Sequence, residues 1–565
     1  IIGVTMNIDE IPKLSLAILK RNIPGYSDLS DVEILKYFDC VYDINNAPVL
    51  TDEDKAEELL KETIQHNRSI LVIADYDSDG LACAAIAYKA LKRKSNNFRV
   101  IHNKRIHGNG FNPVLVAKIK RIHDRKPIDL IITGDHGSSS EDAFKELKEY
   151  GIKKILLTDH HEIPANNYPV SADVFINPQK VPGDPIGMCG AHVLFKILSC
   201  LYKDDKDIQE TLYKECLPHV AIATVTDVMS LDIDYNRLVV RAGLQYMNRD
   251  TGLWAMLKQK LNIPITYSYR DLGFVLGPFI NTGNRVSAEE LFYRILVEPD
   301  MDRLSTLIDE GVKLNISRKD IKKTVLSNLL STIDAKHIKF SLSIIVDTPI
   351  AINGIIASSL GEQFHVPTTC FIVDTETNTL SGSARGILDH ISITKLYTAM
   401  AEEDPELFIV KGGHKGAGGC RIPFDKFERF KELFEVMASK VAVPTETVAI
   451  DNTIAINTKY LDYGLIEEVN YVGPYGKDWP VPIFSGTFKV KAIFAMKSLA
   501  ILTLMTLSGR EIKGTYFFKP DDSQDSIEYD IQRGVVIHLS FEPQYYKRSN
   551  RISYTLMIHS YIATK

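Results

Sequence analysis

At 565 residues the chain is too long for one hydrophobic core, and about three or four domains are expected. Its 45% apolar and 24% charged residues are those of ordinary globular domains, and no run approaches the roughly 18 apolar residues of a membrane span. A net charge of −6 does not mark a uniformly basic polyanion binder. Seven scattered cysteines without a CxxC argue against a disulfide framework or a thiolate zinc site and fit a reducing cytoplasm. The opening IIGVTMNIDE also lacks the basic region and apolar core of a signal peptide.

After an N-terminal segment (1–45), the chain alternates short apolar runs with helical patterns. Strands are expected at Ile70–Asp75, Phe98–Asn103, Ile128–Thr133, Lys153–Thr158 and Val174–Asn177, with helices such as Leu81–Lys94 and Ser140–Tyr150 between them. This pattern implies βαβ units and a mostly parallel sheet over 46–299, with ligands at the carboxyl ends of its strands. Between Lys89 and Lys126, twelve Lys or Arg accompany one acidic residue, Asp124. Such a run is ordinarily a solvated face; beside a phosphate-processing site it gains affinity by releasing counterions.

A charged helix over 300–335 is expected to connect to a second α/β domain, 336–440. There Ser341–Asp347 and Thr369–Asp374 read as strands, Ile355–Phe364 as a helix, and Lys411–Gly419 is glycine-rich. From 441 to 565, Ile483–Leu507, Glu511–Phe518, Gly534–Leu539 and Ile552–Ile562 read as antiparallel strands of a small OB-like β-barrel. Tyr545, Tyr546, Lys547 and Arg548 make a basic aromatic cluster, suited either to base stacking or to an edge strand.

The chemistry is concentrated where acidic residues fall. The first strand ends in ADYDSDG, with Asp75, Asp77 and Asp79; residues two apart in extended chain share a face, so the three should converge. Gly80 should allow a tight turn into the following helix. The third strand ends in IITGDHG with Asp135, and the fourth in LLTDHHE with Asp159, His160 and His161. VAIATVTDV, a later apolar segment, ends in Asp227 and is expected at the same sheet edge. One aspartate at a strand end is usually a helix cap or turn residue. Recurrence at successive tips is better explained by shared cations, because carboxylates that close repel one another. Carboxylates with imidazole and no thiolate favour Mn²⁺ or Mg²⁺, the histidine tilting towards Mn²⁺. Two such ions, about 3.5–4 Å apart, can clamp the attacking and leaving oxygens of a phosphodiester displacement.

DYDSDG, TGDHG, TDHHE and TVTDV resemble the four ordered motifs of the DHH phosphoesterases. RIHGNGF, INPQ, CGAHVLFKI and LGPFINTGNR resemble segments of the RecJ-like branch. SGSARG and KGGHKGAGG look like the signatures of the accompanying DHHA1 domain, and GPYGKDWPVPIF resembles the start of the RecJ OB-fold. The resemblance implies a metal-dependent exonuclease that degrades single-stranded DNA 5′ to 3′ and releases 5′-mononucleotides. Its implied setting is the cytoplasm of a bacterium or phage host, with a single-strand-binding protein or a helicase as candidate partners. Position by position, it implies Asp75, Asp77, Asp79, Asp135, His160 and Asp227 as metal ligands. Asp135 would bridge two ions, with Asp75 completing or supporting the first site. His161 would face the scissile phosphate, Asp159 would orient the histidine pair, and His414 would reach the phosphate from the glycine loop that includes Gly412 and Gly413. Arg105, Arg285, Ser383 and Arg385 would hold the terminal phosphate and the nucleotide backbone. The chain departs from the pattern at NTGNR and at GDHG, where His136 would either tune the site or face solvent. Shorter relatives place a His four residues before the first motif aspartate; here Ile73 stands at Asp77's fourth predecessor, as in RecJ-like chains. Two other readings stay open: a phosphodiesterase of short oligonucleotides or cyclic dinucleotides, and a non-catalytic replication scaffold.

Overall fold

The computed structural model describes residues 11–564 apart from 24–25, 39–41, 45–46, 109, 165–166, 181–186, 264–265, 335–336, 349, 389, 414, 442–452, 462, 497–498, 519–526, 530 and 549–550. It divides into two compact units: Ile1–Asn281, Glu289–Asp309 and Glu446–Lys565 form the first, Thr282–Ala288 and Glu310–Thr445 the second.

The first unit opens on a five-stranded sheet in the order β2-β1-β3-β4-β5. Its strands are β1 (Ile70–Ala74), β2 (Phe98–His102), β3 (Leu130–Gly134), β4 (Lys154–Thr158) and β5 (Val174–Ile176), every pairing parallel. β1 and β3 are buried throughout and apolar but for Thr133, as central strands covered on both faces must be. Leu71, Ile73, Ile131 and Ile155 pack with Leu115 and Ile119 of the helix Pro113–Arg125 and with Phe144 and Leu147 of the helix Glu141–Glu149. The helix Ser78–Leu91 packs against Gly190–Ser199 and Lys206–Thr226. VAIATVTDV is not a strand: it ends the helix Lys206–Thr226, and Asp227 is that helix's C-cap. A short apolar run buried all round carries no period that separates strand from helix, and here the helical stretch extends over 21 residues.

The second unit contains β6 (Leu342–Ile345), β7 (Thr368–Asp374), β8 (Thr379–Arg385), β9 (Val410–Gly413) and β10 (Ala417–Pro423), ordered β6-β7-β8-β10-β9. Only β6 and β7 pair in parallel. The glycine-rich segment becomes the β9–β10 pair, and SGSARG lies in and just after β8. The helix Met301–Thr332 leads into this unit.

In the C-terminal part of the first unit, β11 (Ile454–Ala455) precedes β12 (Phe484–Ala495), β13 (Leu499–Met505), β14 (Glu511–Phe517), β15 (Val536–Arg548) and β16 (Arg551–Thr564). β12-β13-β14-β16-β15 closes on itself through a β12–β15 pairing, making a five-stranded barrel around Phe484, Phe488, Leu502 and Phe541. The expected all-antiparallel pattern fails within the barrel where β14 and β16 run parallel, because closure after β15 returns β16 beside β14, and the short β11 also joins β12 in parallel. Tyr545–Arg548 lie in β15, but their side chains fall outside the described residues. No described helix is long and apolar enough to cross a membrane.

Candidate metal centre

β1, β3 and β4 deliver their acidic residues to one edge of the sheet, since all three run in the same direction. The three aspartates of ADYDSDG do not converge by strand alternation, because β1 ends at Ala74 and a helix begins at Ser78. Asp77 is that helix's N-cap, its Oδ1 accepting from the amides of Asp79 and Gly80 at 3.0 and 3.1 Å. Asp79 sits in the first helical turn and is aimed from another element: the amides of Gly190 and Ala191 donate to its Oδ2 and Oδ1 at 2.8 and 2.7 Å. Cys189 supplies no side-chain cap, so the free amides at that helix start are available for this carboxylate. Gly80 serves close approach rather than a turn, for a Cβ there would lie 2.4 Å from the Asp75 carbonyl.

Asp135 follows β3 with φ +68°, a left-handed conformation that a non-glycine residue adopts only when its surroundings hold it. His160 Nε2 lies 3.1 Å from Asp135 Oδ1, 3.3 Å from Asp227 Oδ2 and 3.7 Å from Asp79 Oδ2. Two sets of ligand atoms therefore lie within 4.8 Å of one another: Asp135, His160 and His161, and Asp79, His160 and Asp227. Asp75 and Asp77 belong to neither set, yet their charges act on Asp135.

Burial, then the charge of Asp77, pushes the Asp75 carboxyl up to about 8 and that of Asp79 to about 7. Asp135 and Asp227 are raised well above the carboxylate range, by burial first and then by Asp79 and Asp77. Asp75 Oδ1 is shut off from solvent without a hydrogen-bond partner, and Asp135 Oδ1, equally buried, makes no well-formed hydrogen bond and has the His160 ring nitrogen 3.1 Å away. Oxygens so placed, among mutually repelling carboxylates and an imidazole, fit divalent cations.

Asp159 is the exception among these acids. Burial would raise it, but the hydrogen bond and charge of His161, the charge of His160 and the Ser138 amide outweigh burial and hold it ionised. Its Oδ1 meets His161 Nδ1 at 2.8 Å and accepts from the His160 amide at 2.7 Å, while its Oδ2 accepts from the Ser138 amide at 2.9 Å. Burial would lower His161, yet the bond and charge of Asp159, with Asp227 and Asp75, raise it to about 10. His161 is the opener of the two histidines, 40% exposed against 9% for His160.

His136 neither faces solvent nor joins the ligand atoms. Its ring stacks on Phe111 at 4.9 Å and its Nε2 meets the Ile73 carbonyl at 3.1 Å; burial lowers it to about 4, so it is neutral. Arg105 is half-buried on the rim of the first unit, its guanidinium 5.9 Å from the ring centre of Tyr76, which stands between Asp75 and Asp77. Arg285, Ser383, Arg385, Gly412 and Gly413 belong to the second unit. Arg285 ends the short helix Thr282–Arg285, Ser383 pairs with Gly419 and Cys370, and Arg385 packs on Gly354. Gly412 and Gly413 are exposed in β9, the latter with φ +136°. His414 lies outside the described residues.

Several supports had no role assigned from sequence. Asn177 Nδ2 donates to Ser138 Oγ and to the His161 carbonyl, both at 2.9 Å, and Gln179 Nε2 donates to the His160 carbonyl at 2.6 Å. Thr133 and Thr158 bond across β3 and β4 through both hydroxyls. Ser78 is tied by its amide to Asn281 Oδ1 at 2.9 Å and by its hydroxyl to Thr226 Oγ1 at 2.7 Å, which joins the first motif to the helix that carries Asp227. INPQ, which begins on the last residue of β5, is the sequence signal for Asn177 and Gln179.

Residues 69–224 match the DHH family, N-terminal domain. The chain carries a DHH-family domain. Over a longer stretch, the chain is 26% identical over 460 residues to the single-stranded-DNA-specific exonuclease RecJ of Haemophilus influenzae, covering 77% of this chain and 78% of that one. It is likewise 26% identical over 467 residues to the RecJ of Escherichia coli, covering 78% of each. Among solved structures, RecJ from Thermus thermophilus in complex with Mn²⁺ superposes with a TM-score of 0.75 at 20% identity, over 98% of this chain and 79% of that one. The DHH domain, the second α/β unit and the closing barrel thus share one fold with that RecJ.

Proposed function

We propose that this protein is a metal-dependent exonuclease that hydrolyses phosphodiester bonds of single-stranded DNA from the 5′ end and releases 5′-mononucleotides. The observation that carries the reading is the crowding of raised carboxylates about His160, with Asp75 Oδ1 and Asp135 Oδ1 buried and making no well-formed hydrogen bond. The single-strand specificity rests on the RecJ relatives, and the choice of Mn²⁺ or Mg²⁺ on the donor set and on the Thermus RecJ complexes with those ions.

Asp75, Asp77, Asp79, Asp135, His160 and Asp227 would hold two ions. When bound, these supply Lewis-acid polarisation of the phosphodiester and offset charge on the attacking and leaving oxygens. His161, kept protonated by Asp159, offers a charged N–H to a phosphate oxygen. Asp159 acts as a positioning residue, fixing both histidine backbones and one ring. Arg105, Arg285, Ser383, Arg385, His414 and the amides at Gly412 and Gly413 are assigned to the phosphates of the substrate, for which guanidinium forks and exposed amides are suited. A single-strand-binding protein or helicase is the partner class that such a substrate implies.

The test is Mn²⁺-dependent degradation of 5′-labelled and 3′-labelled single-stranded DNA, with duplex and tetranucleotide controls. Immediate mononucleotide release from the 5′ label, with the duplex spared, is expected, and Asp135→Asn should abolish it. Attack confined to the tetranucleotide would assign a short-oligonucleotide phosphodiesterase. Absence of metal-dependent cleavage, or turnover by Asp135→Asn close to that of the parent, would refute the mechanism.

A further inference from the structure

The twelve basic residues between Lys89 and Lys126 differ in what surrounds them: Lys92, Lys94 and Arg105 lie over tyrosine rings. Several are consumed locally: Arg93 pairs with Glu215 at 2.6 Å, Lys120 with Glu146 at 2.6 Å, Lys89 meets His219 at 2.9 Å, and Lys126 donates to Asn97 at 2.6 Å. Arg99, Lys104, Lys118 and Arg121 instead lie close to one another, Arg121 Nε donating to the Ala117 carbonyl at 3.3 Å. None of the four makes an ion pair with a carboxylate among the described residues, and all but half-buried Lys118 are exposed.

They come together for reasons visible in the fold. β2 is the edge strand, and its Ile101 packs beneath the helix Pro113–Arg125 with Leu115 and Ile119. Arg99, two residues earlier, points to the same side as Ile101. Lys118 and Arg121 are one helical turn apart on the covering helix. Lys104 follows the end of β2, and its charge, with those of Arg121 and Arg99, adds to burial in lowering the Lys118 ammonium; Glu290 opposes them. Glu290 itself is engaged by His102 at 3.0 Å. The patch is continuous with the metal centre: Lys104 adjoins Arg105, whose guanidinium lies over Tyr76 between Asp75 and Asp77. β2 runs parallel to β1 with His102 opposite Ala74, so the cations extend back along the sheet edge from the rim of the site.

Four cations that repel one another, with one acidic neighbour already occupied, suit a ligand that brings a row of negative charges. We propose that Arg99, Lys104, Lys118 and Arg121 form a second contact for the phosphate backbone of the DNA strand cut at the metal centre, an inference that rests on the nuclease reading above. The contact is sequence-independent, because guanidinium and ammonium groups at a backbone read charge and not bases.

The experiment compares the full-length parent with Arg99→Ala/Lys118→Gln/Arg121→Ala. Affinity for a long single-stranded oligonucleotide is measured by fluorescence anisotropy across a salt series in Ca²⁺, alongside Mn²⁺-dependent cleavage of a tetranucleotide. With about 0.7 of slope per phosphate contact, the triple variant should lower the slope of log K against log salt by about 2. Tetranucleotide cleavage should stay at the parent rate, and Arg99→Lys/Arg121→Lys should keep the parent slope. An unchanged slope in a triple variant that still cleaves DNA overturns the proposal and leaves the nuclease reading intact. Intact DNA binding together with lost binding of polyglutamate would assign the patch to an acidic protein partner and also overturn it. A parent that neither binds nor cleaves DNA defeats the nuclease reading itself, and the proposal with it.

Discussion

Asp135 shows how a single position can be costly and required at once. Its φ of +68°, its burial without a well-formed hydrogen bond to Oδ1 and its neighbours Asp79, Asp77, Asp227 and Asp75 all oppose ionisation or folding in the absence of a cation. The same logic gives a pH dependence. Asp75 and Asp79 titrate at about 8 and about 7 in the folded protein, above the ordinary 3.8. Such groups contribute stability that is fully present below the unfolded pKa and is lost as pH rises through the folded one. Metal-free protein should therefore lose the contribution of these two acids between about pH 4 and pH 8. The rise in melting temperature on adding Mn²⁺ should be larger at about pH 8 than at about pH 6, because fewer protons must be displaced. Equal shifts at both pH values, read by scanning fluorimetry, would show that these carboxyls are not held protonated in the free protein. At this scale the sequence was most informative about residue type: Asp79, Asp135, Asp159, His160, His161 and Asp227 could be named from their places in the chain. The reason offered for the first motif was mistaken, since strand alternation stops at Ala74 and amides more than a hundred residues away aim Asp79.

At the scale of elements, the helix Gly190–Ser199 acts as a clamp whose start must lie against two acidic residues. Its first two amides hold Asp79, and a Cβ on Gly190 would stand 2.6 Å from the Asp135 Cβ. Gly190→Ala must therefore push the helix away, cost about 1–3 kcal/mol as overpacking does, and loosen both aspartates. The expected result is a lower melting temperature together with weaker Mn²⁺ binding, followed through the electron paramagnetic resonance of free Mn²⁺. Parent-like Mn²⁺ affinity in a destabilised variant would mean that the helix start shapes the fold without setting the ligand geometry. This contact was not legible in sequence, because a helix that begins with an uncapped Gly-Ala carries no side-chain sign of what its amides bind. The parallel sheet was legible, because continuous apolar runs between helical patterns leave few other arrangements. The helix ending at Asp227 and the parallel β14–β16 pairing were not, since burial on all sides erases periodicity and barrel closure is a long-range event.

At the scale of the molecule, the segment leading into the barrel buttresses the DHH domain within the first unit. GPYGKDWPVPIF resembles the start of an OB-fold, yet its Lys477 carbonyl accepts from the amide of Leu231, in the loop that follows Asp227, at 2.8 Å. Nearby, the Arg237 guanidinium lies 4.7 Å from the ring centre of Tyr37 and 4.3 Å from that of Trp479, which is fully buried. Its Nη1 also donates to the Leu231 carbonyl at 2.6 Å. One side chain thus joins the N-terminal segment, the Asp227 loop and the approach to the barrel. Arg237→Ala removes two cation–π contacts and leaves a buried carbonyl without its donor, an expected loss of about 2–4 kcal/mol. The chain has only two tryptophans, so Trp479 can be isolated as a reporter by Trp254→Phe. In that background, the urea midpoint read from Trp479 emission should coincide with the loss of Mn²⁺ binding. Adding Arg237→Ala should move the Trp479 midpoint to lower urea and weaken Mn²⁺ binding before unfolding begins, because Asp227 follows its loop. A Trp479 midpoint unmoved by the substitution would show that the joint adds nothing to stability, and that the barrel and the metal centre are coupled through the chain alone.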